Sequence, residues 1–256
     1  GSLASYIDKN FDETTHISAR RAIIARKDNV LLSFDFSQME LRILFYYLNK
    51  PELDKYLGDR NWDGHSWVAK KVWGVDESSP TFESFRAIAK AINFGVLYGE
   101  GDKLLAAQIN KTVEEAKAFR KEYYARIPGL SNFKYKVKSK LDDAGYISNC
   151  FGRKYSVEES RSYVLINYLI QGTSADFVKN RMYVLNASPI FKSNSGHQLI
   201  QIHDELVVEC PRTEIDYCVQ EVQIVLEEPL LRKSLPVKTY VCYPSFANRI
   251  NYEDKE

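Results

Sequence analysis

No apolar run in this 256-residue chain approaches the roughly 18 residues of a membrane-spanning helix, which excludes a helical membrane protein. A charged-then-apolar leader is also missing from the N-terminus, so no secretory signal is expected. Gly1-Ser2 reads as a cloning remnant that hides the natural start. Cysteine is sparse: Cys150, Cys210, Cys218 and Cys242 show no Cys-x-x-Cys spacing, so they read as thiols of a reducing compartment and no structural zinc site is expected. The four histidines form no His-Glu-x-x-His pattern. A charge of one sign is lacking too. Thirty-five basic against 34 acidic residues leave +1, which argues against a binder that holds nucleic acid by bulk charge but leaves room for a local basic face. What is present is a 45% hydrophobic, 13% aromatic composition with 17 Tyr, enough for a buried core. The length allows one large domain or two small ones.

Val30–Phe34 (VLLSF) is a short apolar run bounded by Asp28-Asn29 and Asp35, the pattern of a buried strand. Helical periodicity begins at Ser37 and continues to Leu48, and Ser37 with Glu40 three residues on predicts a capping box. Further helices are expected over Phe82–Phe94 with a stop near Gly95 and Gly99, over Val113–Arg126, Leu130–Leu141 and Glu214–Glu228, and over Tyr163–Leu185 with Gly172 as an interruption. Leu199–Cys210 (LIQIHDELVVEC) has two apolar runs about His-Asp and predicts a hairpin; Pro236–Tyr243 predicts a last strand. No repeat appears. Helices outnumber strands and the strands are far apart, so the expected class is α+β, a small antiparallel sheet carrying helices.

Three groups of residues carry chemistry. Asp35 ends one apolar strand, and Asp204 and Glu205 lie between two others. An acid at the end of a buried strand is costly unless solvated, paired or bound to a metal. Carboxylates brought together repel, and a hard cation such as Mg²⁺ removes that penalty. The alternative is that they are ordinary turn and strand-end residues, although His-Asp-Glu is not a favoured hairpin turn. Second, Arg86, Lys90 and Phe94 are spaced by four and share a helix face, which suits a triphosphate with a base beyond it or a solvated cationic face over a core phenylalanine. Third, Lys134, Lys136, Lys138 and Lys140, with Arg153 and Lys154 following, suit DNA phosphates or an exposed helix face equally well. Asp204–Glu228 holds eight acids against Arg212 alone, so the neutral total conceals segregated charge.

Taken together, these segments resemble family-A DNA polymerases. Asp35-Phe36-Ser37-Gln38-Met39-Glu40-Leu41-Arg42 is similar to the family's first palm motif, and the Arg86-to-Gly99 segment to its fingers motif, Arg-x-x-x-Lys-x-x-x-Phe-Gly-x-x-Tyr-Gly. Gln201-Ile202-His203-Asp204-Glu205 is similar to the second palm motif, and Asn167–Asp176 (NYLIQGTSAD) to a further family segment. The order agrees, and the resemblance runs from about residue 20 to the C-terminus.

The resemblance implies a polymerase right hand without its thumb: palm over 1–48 and 161–256, fingers over 49–160. It implies template-directed DNA synthesis by two-metal nucleotidyl transfer, with two Mg²⁺ (Mn²⁺ able to substitute) held by Asp35, Asp204 and the Phe36 backbone. Glu205 matches a supporting acid near the primer terminus, and Glu40 the residue whose bulk excludes a ribose 2′-hydroxyl. Arg86, Lys90 and His65 match triphosphate contacts, while Phe94, Tyr98 and Gln38 complete the dNTP site. Phe at 94 implies discrimination against dideoxynucleotides. Asn167, Gln171, His203 and Gln201 match contacts to primer–template DNA, which check base-pair shape because the minor groove reads little sequence. Rival readings are a metal-dependent nuclease, which has no use for the cationic helix, a non-catalytic DNA-binding subunit of a split polymerase, and a single-subunit RNA polymerase, against which Glu40 argues.

The chain departs from the family in lacking the Thr-Gly-Arg-Leu-Ser-Ser stretch, thumb and exonuclease segments, in Tyr163 where the family has Arg, and in a C-terminus without the usual tryptophan. Either the chain is trimmed or a separate thumb or exonuclease polypeptide is a partner. No membrane partner is expected, and a cytoplasmic or organellar setting, phage-encoded in a host cytoplasm included, is implied.

Overall fold

The computed structural model describes residues 19–193, 196–229 and 231–254. They divide into two compact units. One contains residues up to Ser37, Val178–Glu228 and Leu235 onward; the other contains Gln38–Phe177 and Pro229–Ser234.

The first unit is built on a five-stranded antiparallel sheet of order β4-β5-β1-β6-β7, from β1 (Asn29–Phe36), β4 (His197–Ile202), β5 (Glu205–Pro211), β6 (Val237–Cys242) and β7 (Arg249–Asn251). The expected strand, hairpin and last strand all form. β1 reads as a continuous apolar run because it is central and covered on both faces. On one face Leu31, Val207 and Cys242 pack with Phe246, Ile23 and Ala25. On the other lies the Ile215–Leu226 helix, which buries Cys218, Val219, Val222 and Leu226 and ties Gln223 Nε2 to Thr239 Oγ1 at 2.8 Å. All four cysteines are free thiols.

The second unit is mainly helical: Met39–Leu48, Pro51–Asp54, Gly64–Trp73, Phe82–Tyr98, Asp102–Ile109, Val113–Arg126, Leu130–Ala144 and the start of Leu165–Leu185, with a small ladder of β2 (Ile147–Ser148) and β3 (Lys154–Tyr155). Val113–Arg126 has the bounds that the pattern predicts, because Thr112 and Glu115 form a reciprocal capping box. Arg42 is wholly buried and anchors the loop after Pro51–Asp54: Nη1 donates to the carbonyls of Tyr56 and Leu57 (the latter at 3.0 Å), and Nη2 to that of Asp59 at 2.9 Å. Its guanidinium lies 5.0 Å from the Trp62 ring, within a cluster of Phe45, Tyr56, Trp62 and Trp67. Burial lowers its pKa to about 10, against the opposing pull of Asp59.

Three local expectations are corrected. The Ser37–Glu40 capping box does not form; Gln38 caps the helix in a left-handed conformation (φ 52°) with no side-chain cap bond, and the Ser37 N–H donates to the Pro236 carbonyl at 3.0 Å. Of the two glycines expected to stop the Phe82 helix, Gly99 does so as its left-handed cap after Tyr98, while the helix runs through Gly95. Gly172 does not interrupt its helix; a Cβ there would run into the Tyr155 hydroxyl, so glycine permits a close approach rather than a break. Among the described residues no helix is long and apolar enough to cross a membrane.

Candidate active site

In the first unit the acids are positioned by backbone register. Asp35 near the end of β1 pairs with Glu205 at the start of β5 and, on its other side, with Lys238 of β6. Partners in antiparallel register share a face, so Ser33, Asp35, Glu205 and Tyr240 lie together. Glu205 is buried; its Oε1 accepts from Ser33 Oγ and forms an ion pair with Arg249 Nη2 at 3.1 Å. Arg249 Nη2 also donates to Ser33 Oγ at 2.9 Å, and its guanidinium lies 4.2 Å from the Tyr240 ring centroid. Burial, then the nearby Asp35 charge, pushes the Tyr240 phenol up, while Arg249 pulls it down.

Asp204 sits in a two-residue turn with His203, whose φ is 53°. Its carbonyl accepts from the Phe36 N–H at 3.2 Å, which brings the turn against the end of β1. Gln201 and His203 are exposed, and Gln201 Nε2 donates to the His203 carbonyl. Among the described residues no three His, Cys, Asp or Glu side chains form a metal-holding group. Oxygens that could hold a cation here are those of the Asp35 and Asp204 carboxylates and the Phe36 carbonyl. An all-oxygen set of one or two carboxylates suits Mg²⁺, which keeps waters and takes substrate phosphate oxygens for the rest.

In the second unit Arg86 is positioned by side-chain hydrogen bonds. Asp63 caps the Gly64–Trp73 helix through the His65 N–H at 3.0 Å. The same carboxylate accepts from Ser66 Oγ at 2.6 Å, Arg86 Nε at 2.8 Å and Gln38 Nε2 at 3.1 Å. Burial pushes the Asp63 carboxyl up, but these hydrogen bonds outweigh it and hold it well below the usual carboxylate range. Gln38 Oε1 also accepts from the Gly64 N–H at 2.8 Å, and a Cβ at Gly64 would collide with Leu41, Gln38 and Trp62. Gln38 therefore braces the start of the helix that carries His65.

The expected shared face is present. The His65 ring lies 6.0 Å from that of Phe94, and both Arg86 and Lys90 act on its charge. Burial lowers its pKa to about 4; Asp63 opposes the shift, and the two cations add to it. Glu40 is half-buried in the first turn of its helix. Asn167 and Gln171 lie one helical turn apart, the first buried and the second half-buried. The Tyr98 and Tyr163 side chains lie outside the described residues. The lysine run does not form one stripe: at 100° per residue Lys134 and Lys138 share one face of the Leu130–Ala144 helix and Lys136 and Lys140 another. Arg153 Nε and Nη2 grip Asp176 at 2.8 and 2.6 Å.

The model of DNA polymerase family A matches residues 7–243. The chain belongs to that family. Among the relatives of this family-A chain, DNA polymerase I of Streptococcus pneumoniae serotype 4 (strain ATCC BAA-334 / TIGR4) is 32% identical over 222 residues, covering 82% of this chain and 25% of that protein. DNA polymerase I of Rhizobium leguminosarum is 31% identical over 234 residues, covering 86% of this chain and 23% of that protein. Among solved structures, the POL domain of Pol1 from M. smegmatis in complex with DNA primer-template and dNTP superposes with a TM-score of 0.77 at 27% identity, over 89% of this chain and 42% of that one. The family-A chain thus spans about a quarter of the length of the curated relatives it matches.

Sequence reasoning missed several polar partners of these family-A motifs. Arg249 meets Glu205 only through sheet pairing and carries no local signal. Asn93 sits inside the fingers-type motif, but Tyr123 thirty residues on reads as an ordinary helical aromatic until their contact is seen.

Proposed function

We propose that this chain catalyses template-directed DNA synthesis, transferring a nucleotidyl unit from a dNTP to a primer 3′-hydroxyl with release of pyrophosphate. The observation that carries this reading is the gathering of Arg86, Lys90 and His65 beside Phe94. Two cations and a polar ring suit the charge of a triphosphate, and an aromatic ring one turn beyond Lys90 suits the sugar and base. A nuclease that works through carboxylates alone has no use for that face.

Asp35, Asp204 and the Phe36 carbonyl would hold the two Mg²⁺ ions, and Mn²⁺ offers the same oxygen preference. Bound there, the metal supplies charge for the phosphates and acidity for the primer hydroxyl. Glu205, held by Arg249 and Ser33, would act as a fixed acid beside Asp35. Arg86, oriented by Asp63, and Lys90 would neutralise the triphosphate; Phe94 and Tyr98 would pack near the nascent pair, and Gln38 would brace the helix start that carries His65. Glu40 would exclude a 2′-hydroxyl by bulk, while Asn167, Gln171, His203 and Gln201 would contact primer–template DNA. In this reading 1–48 and 161–256 act as palm and 49–160 as fingers, with duplex grip aided by a thumb on the same or a separate polypeptide.

The test is primer extension on a primer–template with Mg²⁺ and dNTPs, with a thumb-bearing fragment supplied in parallel. Wild type should extend, and Asp204→Ala should lose at least about a hundredfold in rate. Equal extension by wild type and Asp204→Ala would overturn the assignment.

A further inference from the structure

Behind His65 lies a hydrogen-bond chain that the proposed reaction does not use. Tyr123, on the Val113–Arg126 helix, is wholly buried, and its hydroxyl donates to Asn93 Oδ1 at 2.8 Å. Asn93, on the Phe82–Tyr98 helix, is 1% exposed, and its Nδ2 lies 2.9 Å from His65 Nδ1. An amide has one acceptor end and one donor end. With the oxygen taken by the Tyr123 hydroxyl, the NH₂ faces the ring. A donor at 2.9 Å requires a lone pair on Nδ1, so the ring proton belongs on Nε2. A doubly protonated ring would set N–H against N–H.

We propose that Tyr123 and Asn93 are positioning residues that fix His65 as the neutral Nε2–H tautomer, so that it meets the triphosphate as an uncharged, directed hydrogen-bond donor. The consequence for the triphosphate rests on the polymerase reading; the tautomer does not.

The groups that face His65 agree. Its own helix contributes the Asp63 carboxylate, which favours a charged ring. The Phe82–Tyr98 helix contributes Arg86 and Lys90, which oppose it, and the apolar Phe94 ring. Burial outweighs the carboxylate and leaves the ring neutral well below pH 6. Burial also pushes the Tyr123 phenol far up, so it remains an O–H donor at any pH the protein survives. With Arg86 and Lys90 already supplying charge, a third cation would add repulsion in the empty site. A neutral donor supplies direction alone, and dNTP capture is insensitive to His65 titration across the neutral range.

The test reads ring nitrogens directly, by two-bond proton–nitrogen correlation of nitrogen-15-labelled protein without DNA or dNTP, with His65→Gln assigning the signal among the four histidines. At pH 7 wild type should show unprotonated Nδ1 and protonated Nε2. Tyr123→Phe keeps the shape but releases the amide, so the Nδ1–H form should rise from under about a tenth to about half. In primer extension the same variant should raise the KM for dNTP about fivefold with kcat within about twofold. Asn93→Asp places an acceptor at Nδ1 and should yield a ring protonated at pH 7, with a new ionisation in the kcat/KM profile. Should Asn93→Asp fail to fold, the wild-type and Tyr123→Phe spectra still decide. Protonated Nδ1 in wild type, or a tautomer ratio unmoved by Tyr123→Phe, overturns the proposal. Because the spectra need no substrate, absent primer extension with the expected tautomer would sink only the polymerase reading, and normal extension with Nδ1–H only this one.

Discussion

The acids of the sheet unit and the cations of the helical unit are held in opposite ways. Asp35 takes its place from β1, whose Leu31, Leu32 and Phe34 are wholly buried, and Glu205 stands beside it because the β1–β5 register sets it there. Arg86 and, with it, the uncharged His65 take theirs from polar side chains, chiefly Asp63 and Asn93. Like charges that repel need a frame that does not yield, and paired strands set in a core provide one. Cations proposed to grip a mobile polyphosphate can tolerate a frame of hydrogen bonds. That frame costs less to rearrange and responds to single substitutions and to pH.

The sharpest break in this contrast is Asp35→Ala. It should cut single-turnover incorporation by about a thousandfold while leaving the unfolding midpoint nearly unmoved, since backbone pairing and not the side chain holds the strand. Arg42→Leu tests the other side: three carbonyls lose their donor, so a loss of about 3 kcal/mol should appear in denaturant unfolding. A neutral result there would mean that the helical unit does not depend on polar frames. Arg249→Ala probes a side-chain clamp in the sheet unit. It strands Glu205 and should cost about 2 kcal/mol, less than a fully buried pair because Arg249 is partly exposed.

A further effect is a slope. His65 titrates near 4 when folded and near 6.5 when unfolded, so between those values the unfolded chain binds more protons. Stability therefore rises with pH from about 4 to 6.5 and falls on acidification. His65→Gln should flatten that segment of the stability–pH curve and leave the curve above pH 7 in place. Asp63, whose folded pKa is depressed, acts lower: its contribution is present above the ordinary carboxylate pKa and disappears only as pH falls below it.

Much of the sheet unit was legible in the sequence because its signals are local. VLLSF announces a covered strand, and two apolar runs about His-Asp announce a hairpin. The four-residue spacing of Arg86, Lys90 and Phe94 likewise survives folding, since helix geometry alone sets it. What escaped depends on distant partners. The Ser37 N–H bonds to Pro236, and Gln38 takes a left-handed turn to reach Asp63 and Gly64, so a capping box that fits the local pattern is displaced. Gly172 looks like a breaker until Tyr155 is seen against it. The alternating lysines suggest one stripe only to an eye counting in twos; a helix splits them.

The margins of the sheet have a consequence for solution behaviour. Its outermost strands, β4 and β7, are respectively bulged between Gln198 and Ile200 and only three residues long. A neighbouring chain seeking to extend the ladder finds a kinked rail on one side and a stub on the other. Among the described residues the sheet has five strands, and neither outer rail offers a long, regular edge on which a further strand could build.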